Sequence, residues 1–114
     1  MKNAQLNILR GTLDILVLRA VSWRPLHGFE ISLWLEERSG GQLEVDDSAL
    51  YQSLHRLEAR ELITGEWGVS DNNRRARFYE LTAAGKKQLT KEADQWRRLS
   101  QAVALVLGPE LSGG

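Results

Sequence analysis

At 114 residues the chain has room for one domain with a single, modest hydrophobic core. Apolar residues make up 42% and charged residues 26%, the balance of an ordinary soluble globular protein. The absence of cysteine excludes a disulfide framework, thiol catalysis and cysteine-ligated metal, and fits a cytoplasmic location. Fifteen basic and fifteen acidic residues cancel, so any nucleic-acid partner must be met by local charge rather than by the total. The acids crowd at Glu36, Glu37, Glu44, Asp46 and Asp47, and the bases at Arg74, Arg75 and Arg77, with Arg56 and Arg60 earlier.

The first apolar stretch, Leu6–Val21, carries Leu6, Leu9, Leu13, Leu16, Val17 and Ala20 at spacings mostly of three and four, which predicts a helix. Ile8, Ile15 and Leu18 add a second apolar edge, so the helix is expected to lie between the core and a partner. Asn7, Arg10, Asp14 and Arg19 interrupt it, which argues against a signal segment and against a membrane partner. Arg24-Pro25 turns the chain, and Gly28 precedes a second helix with Phe29, Ile31 and Leu35, flanked by Leu33 and Trp34. Gly40-Gly41 stops it, and Gln42–Val45 is expected as a small strand.

Asp46-Asp47-Ser48 opens a third helix, because short oxygen-bearing side chains cap free N–H groups and carboxylates suit the helix dipole. Leu50, Leu54 and Leu57 are its core stripe. Leu62–Gly68 and Arg77–Leu81 read as two strands of a hairpin around the polar loop Val69–Ala76. Thr82 caps a last helix running from about Ala83 to Leu107, ended by Gly108-Pro109. On that helix Leu89, Ala93, Trp96, Leu99, Val103 and Val106 recur at near-heptad spacing, a seam too long to pack on so small a domain.

The predicted architecture is mainly α with a small β-hairpin. Residues 1–82 form a winged helix-turn-helix, residues 83–108 a dimerisation helix and residues 109–114 a flexible tail. Away from its core stripe the third helix presents Ser48, Tyr51, Gln52, His55 and Arg56. Gln can bond adenine and Arg guanine in bidentate fashion, while Tyr and Ser commonly hold phosphate oxygens. The alternative is a merely solvated helix face. Arg74, Arg75 and Arg77 set cations at the hairpin tip and on its return strand that could grip the backbone or minor groove, against the alternative of a solubilising turn.

Other constellations carry less. His27 and His55 stand far apart without cysteine support, so no metal site is expected. Asp46-Asp47 is better explained by capping than by acid–base work, and Asp71-Asn72-Asn73 lacks the downstream carboxylate of a calcium loop. Without a phosphate loop or nucleophile motif, neither an enzyme nor a cofactor is expected. Trp23, Trp34 and Trp67 are expected as core or wing-anchoring residues.

The segments Leu9-Arg10-Gly11-Thr12-Leu13, His27-Gly28-Phe29-Glu30-Ile31, Ala49–Glu58 and Arg74–Gly85 stand in the order and spacing of the PadR family of transcriptional regulators, which the chain resembles over about residues 5–107. The resemblance implies a homodimer joined through the terminal and first helices, repressing transcription from a pseudo-palindromic operator in double-stranded DNA. It implies that Ser48, Tyr51, Gln52, His55 and Arg56 face the major groove and that Arg74, Arg75 and Arg77 are wing contacts. His27 and Gly28 would meet phosphate at a helix N-terminus. Some similar proteins line a dimer-interface pocket for planar drug-like compounds with aromatic residues of the last helix. Trp96 is therefore either part of an effector pocket for a small aromatic compound or a plain packing residue. One departure stands out: the family usually has Gly before Leu-Ile, whereas here the run is Arg60-Glu61-Leu62-Ile63. Glu61 must accept a strained backbone or end the helix differently. The competing functional reading is a winged-helix module that binds protein rather than DNA.

Overall fold

A computed structural model describes residues 10–109. The elements are α1 (Arg10–Ala20), β1 (Leu26–His27), α2 (Gly28–Arg38), α3 (Asp47–Ala59), β2 (Ile63–Val69), β3 (Arg75–Leu81) and α4 (Ala83–Leu107). The start of the predicted first helix, with Leu6, Ile8 and Leu9, and the tail from Glu110 lie outside the described residues.

Three helical stripes close the core. Leu13, Val17, Leu18 and Ala20 come from α1, Ile31 and Leu35 from α2, and Leu50, Leu54 and Leu57 from α3. Leu62, Ile63 and Tyr79 of the hairpin seal one side, while Leu26 and Val45 fill the gaps left by connecting segments. Leu18, on the second edge of α1, is fully buried, while Ile15 on the same edge is half-buried. Leu89 carries the start of α4 onto the same core, where α1 and α4 are in contact.

The strand expected at Gln42–Val45 does not form. The Gln42 and Leu43 amides are spent on Ser39, at its carbonyl (3.3 Å) and its hydroxyl (2.9 Å), in the turn that closes α2. The outer edge of β3 is taken instead by β1, with Leu26 opposite Tyr79 and His27 opposite Phe78. The antiparallel sheet has the order β1-β3-β2.

Helix ends follow local chemistry. Asp46 Oδ2 accepts the Ala49 amide at 3.1 Å, and Thr82 Oγ1 accepts the Gly85 amide at 2.9 Å. At the far end of α3, Glu61 takes φ +59°. The Leu62 amide reaches the Leu57 carbonyl (3.0 Å) and the Glu61 amide the Glu58 carbonyl (2.9 Å), the double bond pattern of a Schellman cap with glutamate in the left-handed position. The chain thus ends α3 as a glycine would end it, and the side chain bears the strain.

No helix among the described residues is long and apolar enough to cross a membrane.

Candidate nucleic-acid interface

Tyr51 and His55, from the exposed side of α3, form one wall of a groove that Ser48 and Gln52 do not line. Ser48, Tyr51, Gln52 and His55 are all solvent-exposed, while Leu50, Ser53, Leu54 and Leu57 face inward. The opposite wall is the hairpin, and the N-terminal turn of α2 closes one end. His27, Phe29, Tyr51, His55, Trp67 and Arg75 are among the residues that line this groove, whose volume is about 1030 Å³.

Arg56 does not belong to this face. Its Nη2 donates to Asp14 Oδ1 at 2.7 Å and its Nε to Asp14 Oδ2 at 3.2 Å, and Ser53 Oγ donates to Asp14 Oδ1 at 2.6 Å. The helical wheel places Arg56 at the border of the two faces. The buried carboxylate of Asp14 on α1 turns it inward, because an unpaired carboxylate there would be costly. The hydrogen bond to Asp14 holds the Arg56 guanidinium above its ordinary pKa, against the opposing pull of burial.

His27 is the N-cap of α2. Its Nδ1 accepts the Glu30 amide (3.3 Å) while Glu30 Oε1 accepts the His27 amide (3.1 Å), a reciprocal capping box. Gly28 is buried beneath Tyr51, and a Cβ there would lie 3.0 Å from the phenolic oxygen. Gly28 therefore makes room for Tyr51, and the expected phosphate site at His27 and Gly28 is already occupied in part by the helix's own cap.

The hairpin tip is tied by Ser70, whose amide donates to the Arg74 carbonyl (2.8 Å) and whose hydroxyl accepts the Arg74 amide (3.3 Å). Asn73 supplies the left-handed residue, at φ +61°. This turn leaves Arg74 and Arg75 exposed, and among the described residues neither is paired with a carboxylate. Arg77 is different. Its Nη2 donates to Glu58 Oε2 of α3 at 2.5 Å. That bond raises the Arg77 pKa above its ordinary value. Burial pushes the Tyr79 phenol up, outweighing the nearby Arg77 charge.

Strand register orders these groups. The pairs Ile63 with Leu81, Gly65 with Tyr79, Trp67 with Arg77 and Val69 with Arg75 stack along one face of the hairpin, running from core to tip. The same face therefore changes from apolar to aromatic to cationic. Trp67 is 59% exposed and Phe29 72%. Sequence reading put Trp67 and Trp23 in anchoring or core positions; both are surface residues capped by arginines, Trp23 by Arg24 at 4.7 Å. The signal for Asp14 was present, since it is an acid set within the buried stripe of α1. Nothing in the sequence marked Phe29 as exposed. Among the described residues no cluster of His, Asp and Glu could hold a metal ion.

The chain is similar to known proteins over most of its length. The chain is 34% identical over 100 residues to a transcriptional regulator of Mycobacterium tuberculosis, covering 87% of this chain and 86% of that one. An uncharacterized protein of Lysinibacillus sphaericus is 30% identical over 102 residues, covering 89% and 93%. Among solved structures, a PadR-like transcriptional regulator of Bacillus cereus superposes with a TM-score of 0.75 at 26% identity, covering 90% of this chain and 97% of that chain. Residues 17–91 match the transcriptional regulator PadR-like family. The chain belongs to that family, and is a winged-helix transcriptional regulator rather than an enzyme.

Proposed function

We propose that the chain is a cytoplasmic repressor that binds a pseudo-palindromic operator as a homodimer. One observation carries this reading: Tyr51 and His55 of the exposed α3 face and the cations Arg74 and Arg75 line the same groove, with Ser48 and Gln52 exposed on the same helix beside it. Residues 1–82 would read DNA and α4 would pair two copies through Leu89, Ala93, Trp96, Leu99, Val103 and Val106. Two α3 helices would then enter successive major grooves, roughly 34 Å apart. Gln52 and His55 are the residues assigned to base edges, Ser48 and Tyr51 to backbone phosphate, and Arg74 and Arg75 to electrostatic grip. A small planar compound at Trp96 would change the separation of the two heads and so release DNA.

Selection of bound fragments from genomic DNA, followed by titration with salt, tests the reading. Affinity should fall steeply with salt. Gln52→Ala or His55→Ala should relax sequence preference by about 1–3 kcal/mol per lost base contact, whereas Arg74→Ala should weaken all sequences alike and flatten the salt slope. A folded dimer that ignores duplex DNA even at low salt would leave the protein-interaction reading in its place.

A further inference from the structure

The three wing arginines are not equivalent. Arg77 is committed to Glu58, and its guanidinium lies across Gly65, where a Cβ would stand 2.4 Å from Arg77 Nε. This places a hairpin residue in contact with α3, so it fixes the angle between reader helix and wing. One step toward the tip, the Arg75 guanidinium carbon lies 4.5 Å from the centre of the Trp67 ring, while that of Arg77 lies 5.8 Å away. Trp67 and Arg75 are diagonal neighbours across the two strands, within reach of a long side chain.

At 59% exposure Trp67 leaves most of its indole open to the groove, with Arg75 and Arg77 against it. A flat indole beneath a guanidinium has a use of its own. It restricts a side chain that would otherwise lose much rotamer freedom when it meets a phosphate.

Building on the DNA-binding reading, we propose that Trp67 is a positioning residue of the interface: it holds Arg75 over the groove, on a wing whose angle Arg77 sets through Glu58. Arg75 is then the pre-set cation of the tip and Arg74 the loose one.

The test is a double-mutant cycle on the full chain, read as affinity for a short mixed-sequence duplex at low salt. Trp67→Ala should weaken binding by about two- to five-fold, the range of an exposed cation–π contact, and should leave the unfolding temperature close to wild type. Trp67→Phe should restore most of the affinity. Once Arg75→Ala is present, Trp67→Ala should have no further effect. Equal effects of Trp67→Ala with and without Arg75 would overturn the proposal, since Trp67 would then touch DNA by itself, and so would a Trp67→Ala variant that binds as wild type. Failure of the wild-type chain to bind any duplex would instead defeat the DNA-binding reading, which separates the two failures.

Discussion

Asp14 of α1 and Arg56 of α3 meet in a two-pronged ion pair across the helix interface, forty-two residues apart in sequence. Ser53 donates to the same carboxylate, so Asp14 gathers three donor atoms from two turns of α3. This pins the underside of α3 to the helix that also contacts α4. Removing one partner leaves the other charge under-solvated. Asp14→Ala should therefore lower stability by about 2–4 kcal/mol, below the range of a fully dry pair because Arg56 keeps some contact with water. Urea unfolding measures it. Arg56→Met should likewise destabilise while leaving base preference unchanged; a shift in preference would return Arg56 to the reading face.

A smaller effect of opposite sign is expected at Glu61. A left-handed backbone costs an L-residue about 1–2 kcal/mol, part of which glycine gives back through its freer unfolded chain. Glu61→Gly should raise stability by about 0.5–1 kcal/mol, seen as a higher midpoint of thermal unfolding. The Schellman bonds are backbone bonds and would persist. An unchanged or lower midpoint would mean that the glutamate side chain compensates for its own strain.

What could be read in the sequence was what local chemistry determines. Thr82 and the span of α4 followed from a cap and a sustained apolar period, and Asp46 from its place before an apolar helix. The strand Leu26–His27 was not legible, since two residues have no periodicity and pair only because β3 offers a free edge. A helical wheel gives the angle of Arg56 but not the reach of Asp14 on another helix. Residue type alone left Trp67 and Trp23 as core or wing-anchoring residues, because nothing local announces that an arginine will cover an indole. The family's missing glycine at Glu61 identified the right place, and only the backbone showed which of the two outcomes was taken.

Gly85 offers a sharper contrast between propensity and packing. It lies in the first turn of α4, where alanine would be the better helix former by about 1 kcal/mol. Yet a Cβ at this position would stand 2.1 Å from the Leu62 carbonyl oxygen, which is backbone and cannot swing away. Gly85→Ala should therefore destabilise, by about 1–3 kcal/mol, as α4 is pushed off the start of the wing. Circular dichroism against temperature would record it. A gain in stability would show that the approach of α4 to the Leu62 carbonyl is loose.

The last prediction concerns what covers α4. From Asp94 to Leu107 every residue of the helix is exposed in the single chain, including Leu99 at 63% and Val103 at 45%. Trp96, Leu99, Val103 and Val106 follow at steps of three, four and three, the spacing of a helix that meets another helix along one stripe. Under the proposed pairing, Leu99→Asp with Val103→Asp would set carboxylates against their own symmetry copies in a desolvated seam, at several kcal/mol each. The double variant should sediment as a monomer, keep its helical signal and bind only weakly to an operator that requires two heads. A dimer that survives both charges would move the interface to α1 and leave the exposed stripe of α4 to some other partner.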